Sequence, residues 1–248
     1  MVRKRTPCGH PDMITVSQND LMPKTIYEDQ DLLIVNKPAG LLSLPDGYNP
    51  GLSHLRSLLE PRFGALWIVH RLDRETSGLV ILAKNEVSHR ALNTQFRERQ
   101  VKKTYHALVT PSPVFQEETL HLPLRPNADR KHRTRVDHQS GKEAQSALKV
   151  LKRFQLGALM EIRIKTGITH QIRAHLRSLD LCLFGETLYC AGLPPQPLNV
   201  SRAMLHARQV AFSHPITGDE VIFEAAYPED FREIYTKLRF TKTPDESP

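Results

Sequence analysis

Asp73 lies between Arg71 and Arg74 in the stretch HRLDRETSG (70–78), with His70 three residues before it. A carboxylate beside cations stays ionised, which is what a nucleophile requires. The setting is unusual for a charged turn, because ALWIV (65–69) runs into it and LVILA (79–83) runs out of it. Asp73, Thr76, Ser77 and Gly78 are also ordinary turn formers, so an aspartate that merely caps the loop backbone is the plain structural alternative. Two apolar strands would hold this loop rigid, with a titratable ring and a guanidinium next to one carboxylate.

The elements around this loop are legible from period and punctuation. TIYED (25–29) and LLIVNK (32–37) read as a hairpin, and KPAG (37–40) forces a turn. Residues 86–99 carry a helical period, with Val87, Ala91, Leu92 and Phe96 on the apolar side. KKTYHALVT (102–110) reads as a strand that places Lys103, Tyr105, Ala107 and Val109 on one face. Residues 111–147 read as polar and mixed. Within them, 125–142 carries Arg125, Arg130, Lys131, Arg133, Arg135 and Lys142, the pattern of a solvated or nucleic-acid-facing loop.

MEIRIKT (160–166) alternates as a half-buried strand, and Thr169 suits the N-cap of a helix running to about Leu179. On that helix Ile172, Leu176 and Leu179 form one stripe, and His170, Arg173 and Arg177 another. Residues 206–225 read as two strands around HPITGD, and 228–240 as a closing helix with Phe231, Ile234 and Leu238 inward. Many short strands with few helices predict an α+β fold with a mixed, mainly antiparallel sheet. Residues 1–24 read as an irregular extension, 25–240 as one domain and 241–248 as a tail.

Composition narrows the partner. The 248 residues carry a formal net charge of +7, which points to a polyanion, nucleic acid being the usual one. No apolar run approaches the roughly 20 residues of a membrane span, and the basic N-terminus lacks the hydrophobic stretch of a secretory signal, so a cytoplasmic protein is expected. Cys8, Cys182 and Cys190 are odd in number and irregularly spaced, which reads as ordinary thiols in a reducing compartment and gives no metal site. CGH (8–10) is the one weak exception.

HRLDRETSGLVILAKN (70–85) resembles the signature of the RluA family of RNA pseudouridine synthases. NKPAGLLSLP (36–45), KKTYHALV (102–109), TGITHQIRAHL (166–176), GETLY (185–189) and LHARQVAFSHPITG (205–218) are similar to further segments of that family, in the same order. The resemblance runs from about Ile26 to Ile234. It is nearest to short members without an N-terminal S4 RNA-binding domain. GLLSLP, QFRER (95–99) and GKEAQS (141–146) look like the dual-specificity branch, which modifies a ribosomal RNA loop and a tRNA anticodon stem-loop.

The resemblance implies a sheet in two halves with a basic cleft between them. It also implies isomerisation of uridine to pseudouridine in structured RNA, without a cofactor. Asp73 would be the catalytic carboxylate, Tyr105 a stacking group and late proton acceptor, and Arg173 the cationic partner of Asp73. Arg71 would occupy the space left by a flipped uridine. His70, Arg74, Lys103, His170 and Arg177 are the other expected RNA contacts, although His70 is equally well read as a hydrogen-bonding structural histidine. Leu72, Ile164 and Thr166 would shape the pocket. Ile168 stands where the family usually has arginine, and Glu186 where it commonly has aspartate. The protein is expected to act as a monomer. A non-catalytic RNA-binding protein on the same scaffold is the alternative reading. A glycoside hydrolase would need a second acid at the site, and no partner acid stands out.

Overall fold

A computed structural model describes residues 21–241. In chain order the elements are β1 (Lys24–Glu28), β2 (Leu32–Lys37), α1 (Leu55–Phe63), β3 (Trp67–Ile68), β4 (Ser77–Ala83), α2 (Glu86–Arg97), β5 (Lys102–Thr110) and β6 (Glu117–His121). They continue with β7 (Leu124–Arg125), β8 (Arg135–Val136), β9 (Gln145–Phe154), β10 (Gly157–Ile164), α3 (Gln171–Ser178), β11 (Cys182–Leu183), β12 (Leu205–Ser213), β13 (Glu220–Glu224) and α4 (Glu229–Phe240). One 11-stranded sheet runs β1-β2-β4-β12-β5-β10-β9-β6, with β3 added on β4, β11 on β5 and β13 on β12, and only β4 and β12 pair in parallel in it. This is the mixed, mainly antiparallel α+β fold that the element pattern predicts.

Strand alternation decides which helix covers which face. Leu33 and Val35 of β2 pack with Val80 and Leu82 of β4 and with Tyr105, Ala107 and Val109 of β5, under Leu55 and Leu59 of α1 and Ile172 and Leu176 of α3. On the opposite face Leu32, Ile34, Leu79 and Ile81 pack with Leu92 of α2. Leu108, Leu159 and Met204 pack with Phe231, Ile234 and Leu238 of α4. Every residue of β4 is buried, as expected for a strand covered on both faces.

The two halves of the sheet meet at β4 and β12 through only two residue pairs, His206 with Ser77 and Ala207 with Gly78. Gly78 has φ 117°, and a Cβ there would collide with the Ala207 backbone. The turn that carries Asp73 therefore ends at the seam between the halves, and glycine is required at that point.

Several expectations need correction. Residues 111–147 hold β6, β7, β8 and the start of β9. The signal in β9 was readable, since Ser146, Leu148 and Val150 are buried while Lys149 and Leu151 are exposed. Helix α3 is capped at His170, not Thr169, with His170 in the left-handed region at φ 56°. The Thr169 carbonyl instead accepts the Thr134 hydroxyl at 2.7 Å. Val87 of α2 faces solvent, and Ser88 takes its buried place. Cys182 and Cys190 are joined as a disulfide and are not free thiols. The chain doubles back at Gly185 and brings their Cα atoms to 5.9 Å, within bridging range. Cys8 and CGH (8–10) lie outside the described residues, as do most of the 1–24 extension and the tail from 242 onward.

Candidate active site

The turn between β3 and β4 is fixed through its main-chain groups, largely by the loop that follows β2. The Ser43 hydroxyl donates to the Leu72 carbonyl at 2.9 Å and accepts the Leu72 N–H at 3.1 Å. Thr76 N–H donates to the Asp73 carbonyl at 3.1 Å, and Gly40 N–H to the Arg74 carbonyl at 2.8 Å. Arg74 Nε donates to the Gly40 carbonyl at 3.0 Å, so this arginine fastens the turn to the loop that contains NKPAG.

Lys37 lies beneath that loop with 0% of its surface exposed. Its ammonium donates to the carbonyls of Leu41 at 2.8 Å, Pro38 at 3.0 Å and Arg74 at 3.3 Å. Burial, aided by the charge of Arg202, pushes Lys37 down to about 7. Sequence reading gave this lysine only a place beside a turn.

The folded pKa lies below the unfolded value, so the unfolded chain binds the extra proton between about pH 7 and 10.5. Stability should therefore rise with pH across that window, by up to ~1.4 kcal/mol per pH unit. Lys37→Met should flatten that slope in denaturant titrations at pH 7, 8, 9 and 10. An unchanged slope would show that the buried ammonium is not its source.

Asp73 opens into a cavity of about 90 Å³ lined by Leu72, Tyr105, Ile164, Ile168, His170 and Arg173, among others. β5 delivers Tyr105 and α3 delivers Arg173, so three distant segments meet here. Arg173 Nη1 lies 3.9 Å from Asp73 Oδ2. Its tighter partner is Glu186, whose two oxygens accept from Nε at 2.6 Å and Nη2 at 2.7 Å. Burial pushes the Glu186 carboxyl up, but the Arg173 guanidinium, together with the Leu188 and Tyr189 N–H groups, more than offsets it and holds the group below its ordinary value. A second acid is thus present, but it is locked in an ion pair. It was missed because nothing local in GETLY marks its partner. Tyr105 is 8% exposed, and burial, with the charge of Asp73, pushes its hydroxyl up, so the phenol is protonated at neutral pH.

His170 stands beside the same carboxylate. Its Nε2 lies 3.7 Å from Asp73 Oδ2, and its Nδ1 lies 3.1 Å from the Tyr189 hydroxyl. The left-handed backbone at the cap frees the ring for these contacts. Burial lowers its pKa, with Asp73 opposing the shift. Tyr189 also accepts the Thr134 N–H at 2.7 Å and lies under the Arg173 guanidinium at 5.0 Å.

A larger cavity of about 660 Å³ adjoins the first and shares Arg71, Tyr105, Ile164 and Ile168 with it. Its walls include Arg97, Arg99, Lys103, Lys142 and Lys165, with Glu143 as their acid. The small cavity lies well below ligand-sized volume, whereas the larger one reaches it. Arg71 stands exposed where the two meet. Lys103 sits over the Phe96 ring at 5.9 Å and donates weakly to the Thr166 carbonyl at 3.4 Å. Burial pushes it down to about 8.

Besides Arg74, three expected site residues have structural partners. His70 lines the larger cavity, but its Nε2 accepts the Ile81 N–H at 3.0 Å and its ring stacks on Phe96 at 4.8 Å. Burial pushes it down to about 3, so it is a neutral ring with the hydrogen-bonding structural role that the sequence left open beside RNA contact. The Thr166 hydroxyl donates to Gln171 at 2.8 Å and accepts the Gln145 N–H at 3.1 Å, tying β9 to α3. Arg177 pairs with Asp180 at 2.5 Å and, with Arg133 and Arg135, borders a separate cavity of about 380 Å³.

Residues 31–178, more than half the chain, match the family described as RNA pseudouridylate synthase. The chain belongs to that family. It is 32% identical to ribosomal large subunit pseudouridine synthase D of Zymomonas mobilis, over 88% of this chain and 74% of that protein. It is 35% identical to the dual-specificity RNA pseudouridine synthase RluA of Pasteurella multocida, over 81% and 91%. Among solved structures, the human RNA pseudouridylate synthase domain containing 4 superposes with a TM-score of 0.72 at 26% identity, covering 87% of this chain and 93% of that one. The chain is an RNA pseudouridine synthase, an isomerase that acts on uridine in RNA. Among the described residues, no helix is long and apolar enough to cross a membrane.

Proposed function

We propose that Asp73 is the reacting carboxylate of this synthase and that its substrate is a uridine in a folded stem-loop of ribosomal RNA, transfer RNA or both. The observation that carries the first part is the convergence of Asp73, Tyr105 and Arg173 on one small cavity beside a larger basic cleft. The names of the relatives from Zymomonas mobilis and Pasteurella multocida support the second part.

The reaction breaks the N1–C1′ bond and joins C1′ to C5. N1 ends protonated, and the C5 proton leaves. No electron is gained or lost, so a carboxylate that stabilises or traps the electrophilic C1′ is the main requirement. Arg173, fixed by Glu186, sets the charge beside Asp73. Tyr105 lines the cavity with its phenol protonated at rest, so it can stack on the displaced uracil; it can take the C5 proton late only after passing its own proton on. The target nucleotide must leave its stack to reach the cavity, and Arg71 is placed at the entrance to fill the vacated space. We read the working unit as one cytoplasmic monomer, residues 25–240 being the catalytic domain.

Incubation with [5-³H]uridine-labelled ribosomal and transfer RNA should release tritium and yield pseudouridine on nuclease digestion. Absence of release from both RNA classes would overturn the substrate assignment. Binding should be strongly salt-dependent, because cations along the cleft displace phosphate counterions. Lys165→Ala should reduce the slope of log affinity against log salt by about 1. A slope equal to that of the unaltered protein would remove Lys165 from the RNA path.

A further inference from the structure

Arg202 stands just ahead of β12 and is only 7% exposed. No feature of its sequence neighbourhood marked it. Its Nε and Nη2 donate to Asp230 of α4 at 2.6 and 2.8 Å, a two-point charge-assisted pair. Its remaining terminal nitrogen, Nη1, donates to the Glu75 carbonyl at 3.1 Å and to the Ala203 carbonyl at 3.0 Å. Glu75 lies two residues after Asp73, inside the turn that carries it. The guanidinium therefore ties the catalytic turn to the first turn of the C-terminal helix. Asp230 suits that place because the N-terminus of a helix favours negative charge.

The backbone of the same residue reaches the other half of the site. Gly185 has φ 77°, and a Cβ there would collide with the Arg202 carbonyl. The next residue, Glu186, is the one that grips Arg173. Met204 N–H then donates to the Phe184 carbonyl at 2.8 Å, which fixes this approach from the other side. One residue thus has its side chain on the Asp73 turn and its main chain against the Glu186 loop.

We propose that Arg202, held by Asp230, is a positioning residue that sets the Asp73 turn in register with the Glu186–Arg173 pair. This rests on Asp73 being the reacting carboxylate. The 3.9 Å separation of Asp73 and Arg173 is not enforced by a direct hydrogen bond between them. It is set by the two loops, and Arg202 touches both. Asp230→Asn removes the charge that orients the guanidinium. Arg202→Lys keeps the charge but loses the planar fork whose separate nitrogens span Asp230 on one side and the Glu75 carbonyl on the other, so it cannot reproduce the two-point pair together with that contact.

Both variants should lower kcat by about 10- to 100-fold, the scale of a misplaced reacting group, with KM for labelled RNA within about twofold. Asp230→Glu, which can restore a two-point acceptor, should recover most of the loss. Hydrogen exchange in the free protein gives a readout independent of turnover. The Thr76 amide, which donates within the turn, should exchange faster in both variants, while the Val80 and Ile81 amides in β4 stay unchanged.

Unchanged kcat in folded variants would overturn the proposal. So would a loss matched by faster exchange throughout β4, because that is general destabilisation. If Asp73→Asn kept its turnover, the Asp73 reading would fail, and exchange at Thr76 would still decide whether Arg202 holds the turn.

Discussion

Asp73→Asn is expected to reduce pseudouridine formation by about 10³-fold or more, the scale seen when a reacting side chain is removed from a preformed site. Folding and RNA affinity should change little. The substitution keeps the shape of the side chain, which is 23% exposed, and the nearest nitrogens of His170 and Arg173 stand at 3.7 and 3.9 Å, too far for tight hydrogen bonds. The turn itself is held by Ser43, Gly40, Lys37 and Arg202 through main-chain atoms, none of which the substitution alters. The prediction therefore separates chemistry from architecture. Single-turnover tritium release gives the chemical step, filter binding gives affinity, and thermal unfolding gives stability. Turnover within tenfold of the unaltered protein would mean that another group carries the reaction.

The sequence showed some of these features and hid others, for physical reasons. β3 and β4 were visible because apolar runs stop abruptly at HRLDRETSG, and a strand buried on both faces needs no alternation to be seen. Helix α4 announced itself through Pro228, early acids and a regular apolar stripe. Helix α1 was missed because Pro61 interrupts it and its only buried residues are Leu55 and Leu59. The convergence of Asp73, Tyr105 and Arg173 could not be read from periodicity, because it depends on strand order across the seam. It came from the family resemblance. Lys37, Glu186 and Arg202 escaped because their partners are a loop carbonyl cage, an arginine on α3 and an aspartate on α4. Such contacts leave no local pattern. His170 was placed on the correct stripe, but its left-handed backbone, which turns the ring toward Asp73, has no sequence signal in a non-glycine residue.

Glu186→Ala should be the most destabilising change in the site. It leaves the Arg173 guanidinium, whose side chain is 9% exposed, without its two-point partner. It also strips the Leu188 and Tyr189 N–H groups of the Glu186 oxygen that accepts from them at 2.7 and 3.3 Å. Breaking one side of a buried ion pair costs about 3–5 kcal/mol, or a fall in Tm of about 10 °C for a chain of this size. Glu186→Gln keeps one carbonyl acceptor and should cost less.

The pH dependence supplies the sign. The folded Glu186 carboxyl is held below its ordinary value, so its stabilisation is present above about pH 4.3 and is lost as the pH falls through the folded value. The stability gap between the unaltered protein and Glu186→Ala should therefore be full at neutral pH and narrow under acid conditions. A gap that stays constant down to pH 3 would place the cost in lost packing and not in the ion pair. Activity should follow the same geometry. Arg173 released from Glu186 has Asp73 close by at 3.9 Å, and a direct hydrogen-bonded pair would engage the carboxylate oxygens that the reaction needs free. Glu186→Gln protein that remains folded should therefore bind RNA normally and turn over slowly.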